Sequence, residues 1–175
     1  MLPPSPVPCT LYPKKMRLVL TKMPSLRGVR DLHRLQEALS FALPATGLDA
    51  TKPGRIDLVL VTRPRIIALN ALHLHHQGAT DVITYDLRDG FALPDENGEC
   101  QLAEIYICPA VAAEQAPKFG ETPSRELVRY AAHGLLHLAG EDDLTEEALA
   151  AMRRAEARVL AAAEQRYSLE GFLAS

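Results

Sequence analysis

Short runs of alternating hydrophobic and polar residues along this chain are separated by longer stretches with three-to-four spacing. Residues 17–22 (RLVLTK), 56–61 (IDLVLV), 81–85 (DVITY) and 104–108 (EIYIC) have the apolar, β-branched character of strands. Helical spacing runs through Leu32, Leu35, Leu39 and Leu43 within 29–43, and through Ile66, Leu69 and Leu72 within 65–76. Further helices are expected at 110–116, at 124–138 stopped by Gly140, and at 145–163, where good helix formers dominate. Four strands and about five helices in this mixed order predict an α+β domain built on one four-stranded sheet.

The first fifteen residues contain five prolines and no continuous apolar stretch. They read as a disordered Pro-rich leader, without the apolar region of a secretory signal. A single domain is expected over 16–168, followed by a tail at 169–175. No apolar run approaches the length of a transmembrane helix, so no membrane is expected among the partners. The odd cysteine count (Cys9, Cys100, Cys108) predicts a reducing, cytoplasmic setting without a disulfide framework. A net charge of −3 lacks the basic excess usual in a nucleic-acid binder, so any RNA contact must be local or metal-assisted.

Candidate chemistry is concentrated in AAHGLLHLAGEDD, residues 131–143. His133 and His137 are four apart, so on a helix both imidazoles leave one face. Gly140 permits a left-handed turn that folds the chain back to present Asp142 or Asp143. Two imidazoles and one carboxylate with an open fourth position form a known catalytic zinc arrangement. The helix is otherwise almost wholly apolar, and burying two unpartnered imidazoles would cost on the order of a few kcal/mol. Gly134 costs about 1 kcal/mol in a helix relative to alanine, which suggests a close approach of another element. It also stands where zinc peptidases place their glutamate base, so that chemistry lacks its base here. Asp142 and Glu141 are the nearest candidate catalytic bases. A purely structural alternative has Asp142 pairing with His137, and Asp143 or Thr145 capping the last helix.

The run HGLLHLAGEDD resembles the signature of the YbeY family. Leu69-Asn70 followed by ATDVITY at 79–85, and AEIYIC at 103–108, resemble two further blocks of that family in order and spacing. The resemblance covers roughly residues 57–162. It implies a small mixed sheet flanked by helices, and one zinc ion (or another divalent ion) held by His133, His137 and Asp143. The implied activity is that of a metal-dependent endoribonuclease cutting single-stranded RNA in ribosomal RNA maturation and ribosome quality control, with the ribosome or its proteins as partners. A non-catalytic ribosome-assembly factor and another metal-dependent phosphoester hydrolase are the alternatives. The chain departs from the family at Asp143, most often histidine, at Glu104 and Ala103, usually Asp and Gly, and at Leu74, typically arginine. His73, His75, His76, Arg63 and Arg65 lie near that last position as possible substitutes.

Overall fold

The computed structural model describes residues 15–73, 80–88 and 99–174, with the backbone alone at His73. Four strands form one sheet: β1 (Met16–Lys22), β2 (Gly54–Leu60), β3 (Val82–Asp86) and β4 (Gln101–Ile107). Their order is β1-β2-β4-β3, with β1, β2 and β4 parallel and β3 antiparallel to β4. The expected α+β class and mixed sheet are therefore present. The helices are α1 (Leu32–Ala42), α2 (Arg63–His73), α3 (Pro109–Gln115), α4 (Pro123–Leu138) and α5 (Glu146–Glu164), with single 3-10 turns after α1 and α3. Positions 74–76, expected to continue α2, lie outside the described residues.

Alternation in the strands produces one fully buried sheet face. Along β2, Ile56, Leu58 and Leu60 are buried while the residues between them are half-exposed. Their neighbours across the ladders include Leu18, Leu20, Ala103, Ile105 and Ile107, which join the same core. Helices α1 and α4 pack on the sheet, and α5 packs on both of them. The first helix starts three residues later than the apolar spacing suggests, because the Asp31 carboxylate accepts from Arg34 N–H at 3.2 Å and caps it.

Gly134 marks the closest approach between α4 and the sheet. A Cβ there would lie 2.6 Å from Ile105 Cγ2 and 3.0 Å from Thr84 Oγ1. The glycine that weakens the helix locally thus lets its axis settle onto β3 and β4, which fixes the height of the neighbouring His133.

Residues 169–174 pack against α1 and α4: Phe172 is fully buried, Leu173 N–H donates to Ser124 Oγ at 3.0 Å, and the Arg34 guanidinium lies over the Phe172 ring. Leu169 and Phe172 lie in a short segment after the last helix that carries neither helical nor strand periodicity, so nothing local announces their burial. Cys108 is a free buried thiol. Among the described residues, no helix is long and apolar enough to cross a membrane.

Candidate metal centre

Helix α4 is fixed at both ends. Thr122 Oγ1 accepts from Arg125 N–H at its start, and Pro123 occupies a first-turn position where its missing N–H costs nothing. At its end Gly140 adopts φ 98°, Gly140 N–H donates to His137 O, and Glu141 N–H donates to Leu136 O, both at 3.0 Å. This paired pattern is a Schellman motif, and it reverses the chain within three residues. The reversal carries Asp143 back over the two histidines.

His133, His137 and Asp143 converge on one point. The two Nε2 atoms are 2.9 Å apart, and Asp143 carboxylate oxygens lie 3.6 Å from His133 Nε2 and 4.0 Å from His137 Nε2. The outer ring atoms have acceptor partners. His133 Nδ1 is 2.7 Å from Glu156 Oε1, and His137 Nδ1 is 3.0 Å from the Glu141 carbonyl oxygen. Each Nδ1 therefore carries a proton, and the two Nε2 atoms face each other. Two imidazole nitrogens and a carboxylate brought this close favour a cation between them, whether a proton or a metal ion.

The donor set fits a small divalent ion. One donor atom from each of the three side chains lies within 4.8 Å of the others, and nitrogen and oxygen donors of this kind suit zinc. All three side chains are partly solvent-accessible, which leaves an open side for a further ligand.

His133 is held above its ordinary pKa. Burial opposes the imidazolium, but the Glu156 hydrogen bond and charge outweigh it, with Asp81 and Asp143 adding to the effect. The same carboxylates that favour a proton here favour any other cation.

The two candidate bases make contacts of their own. Asp142 Oδ1 accepts from Asp143 N–H at 2.6 Å and Leu144 N–H at 3.0 Å, which makes it a turn former. Glu141 contributes its backbone carbonyl to His137. Neither carboxylate lines the groove described below. Thr145 Oγ1 caps α5 by accepting from Ala148 N–H, which leaves Asp143 free of that task.

Glu104 belongs elsewhere. It accepts from Tyr106 and Gln101 side chains on the sheet face opposite its neighbour Ile105, away from α4. Arg63 pairs with Glu114, and neither Arg63 nor Arg65 lines the groove. Leu74, His75, His76 and the His73 side chain lie outside the described residues.

Sequence reasoning missed two residues. Glu156 reaches from α5 to orient His133, yet no spacing rule links positions 23 apart. Asp81 lines the same groove, its Oδ1 accepting from Thr80 Oγ1 and Val82 N–H at 2.9 Å each. Its signal was the Thr-Asp-Val block, which carried the resemblance but suggested no role. A groove of about 930 Å³ runs from His133 and Asp143 along α4, walled by α3 and its following turn on one side and α5 on the other.

The fold and site together define an α+β domain that presents a two-histidine, one-carboxylate cluster at the reversed end of a core helix. The chain belongs to the YbeY family: the model described as Endoribonuclease YbeY matches residues 27–164. It is similar to the Endoribonuclease YbeY of Elusimicrobium minutum, with 34% identity over 141 residues covering 80% of this chain and 92% of that protein. The Endoribonuclease YbeY of Salinibacter ruber is 34% identical over 131 residues, 74% of this chain and 82% of that one. A solution structure from Thermotoga maritima aligns with a TM-score of 0.51 at 26% identity, covering 86% of this chain and 91% of that one.

Proposed function

We propose that this chain is a metal-dependent endoribonuclease that cuts single-stranded RNA in ribosomal RNA maturation and ribosome quality control. The reading places it in the cytoplasm, with ribosomal RNA and the ribosome as partners and the catalytic unit within the single domain expected over 16–168. One zinc ion, or another divalent ion, is held by His133, His137 and Asp143. The convergence of two imidazole Nε2 atoms and a carboxylate, beside an open groove, is the observation that carries this reading. The names of the relatives supply the substrate class.

Such an ion, when bound, supplies Lewis-acid stabilisation to a scissile phosphate. The chain's own residues prepare the site for it. Glu156 and the Glu141 carbonyl hold the Nδ1 protons, which keeps both Nε2 atoms available. Asp143 brings a negative charge where a third neutral imidazole is more usual in the family. That charge would lower the net charge of the centre and make it a weaker Lewis acid than three neutral imidazoles would.

Asp143 is also the observation behind a second reading, a ribosome-assembly factor that keeps the site but cleaves weakly or not at all. Metal content and cleavage of single-stranded RNA, measured in the wild type and in His137→Ala, separate the two. Stoichiometric metal and cleavage, both lost in the variant, support the nuclease. Metal without cleavage supports the assembly factor, and no metal removes both.

A further inference from the structure

The groove beside the candidate metal centre holds two features that the centre does not use. Phe119, at the end of the turn after α3, lines it with 63% of its surface exposed. Among the described residues its ring has no aromatic or cationic partner. A large apolar ring facing water loses the burial free energy that aromatic side chains ordinarily gain.

Arg153, on α5, lines the same groove and is exposed. The two other arginines lining it are neutralised: Arg125 pairs with Glu121 and Glu164, and Arg129 with Glu121 and Glu126. Arg153 has no carboxylate partner among the described residues. The groove therefore offers one uncompensated guanidinium and one bare aromatic face, continuous with the centre at His133 and Asp143.

We infer that Phe119 and Arg153 form a nucleotide subsite for the RNA strand whose scissile phosphate lies at the metal centre. Phe119 stacks against a base and Arg153 contacts a backbone phosphate. Every base has a π face, so a lone ring tolerates sequence while still holding a strand, and a guanidinium forks onto phosphate oxygens. The volume also suits the occupant, because 930 Å³ lies at the upper end of the range for ligand sites. A single-stranded segment can splay a base onto such a ring, whereas a duplex keeps its bases stacked internally. This inference rests on the ribonuclease reading and specifies how its substrate is held.

Fluorescence anisotropy with a short 2′-O-methylated single-stranded RNA tests it, using wild-type protein, Phe119→Ala, Phe119→Tyr and Arg153→Ala. Phe119→Ala is expected to weaken binding roughly 5- to 150-fold, with the salt slope unchanged and affinity kept in Phe119→Tyr. On the same oligomer made abasic, the Phe119→Ala loss should vanish. Arg153→Ala should reduce the slope of log affinity against log salt by about 0.7, the value for one single-strand phosphate. Both side chains are exposed, so neither substitution opens the core. Unchanged affinity in Phe119→Ala, an equal loss on the abasic oligomer, or an unchanged slope in Arg153→Ala would overturn the subsite. If the wild type still cleaves RNA in that case, the ribonuclease reading stands without it. If the wild type neither binds nor cleaves single-stranded RNA, both fall.

Discussion

Glu156 on α5 accepts the Nδ1 proton of His133 on α4 at 2.7 Å, so one helix orients the ring that the other presents to the cluster. The side chains of this pair are only 12% and 16% exposed, which limits competition from water. Such outer partners typically contribute 10- to 100-fold in metal affinity. Glu156→Ala is expected to weaken zinc binding by about that factor, as measured by chelator competition, while the fold is retained. An unchanged affinity would show that the bond does not orient the ring.

The same pair sets a pH dependence. His133 is raised above 6.5 because Glu156, Asp81 and Asp143 together outweigh its burial. A histidine that binds its proton more tightly when folded stabilises the metal-free protein below the unfolded value of about 6.5. That stabilisation is lost as pH rises through the raised value. Metal binding has the opposite dependence, because it needs the neutral ring. NMR titration of metal-free protein should place His133 above 6.5, and Glu156→Gln should bring it down. A wild-type midpoint at or below 6.5 would contradict the arrangement.

Gly134→Ala sets two effects against each other. Helix propensity improves by about 1 kcal/mol, but the new methyl would lie 2.6 Å from Ile105 Cγ2. Overpacking of a tight interface costs about 1–3 kcal/mol. A net loss of stability is expected by denaturant unfolding, and the loss should be smaller in an Ile105→Ala background. A stabilised Gly134→Ala protein would mean that α4 can lift from the sheet without penalty.

Thr145→Ala should cost about 1 kcal/mol by removing the cap from α5. Because Asp143 does not share that task, its zinc affinity should stay within a few-fold of the wild type. A large drop in metal binding would show that cap and ligand are coupled.

Most of the fold was legible because local patterns agree with it. Alternation located all four strands, and Thr122, Gly140 and Thr145 act at helix ends where their chemistry predicts. The ligand cluster was legible for the same reason, since helical pitch and one glycine bring its members together. What sequence did not reveal depends on contacts between distant segments. Glu156 meets His133 only because α5 packs along α4, and Phe172 is buried only because the chain returns to α1 and α4. Proximity in sequence is all that marks Asp142 and Glu141 as candidate bases. In the reversal after α4, Asp142 accepts two backbone N–H groups of the turn and the Glu141 carbonyl meets His137.

Two donors of the centre are set by the pitch of a core helix, whereas the third stands on a reversal outside the core. A substitution at position 143 therefore changes the chemistry of the centre while leaving the packing that stabilises the domain almost untouched. On the metal-dependent reading, the identity of the donor and the ability to fold are therefore separable, and position 143 can alter which ion is preferred without rebuilding the core.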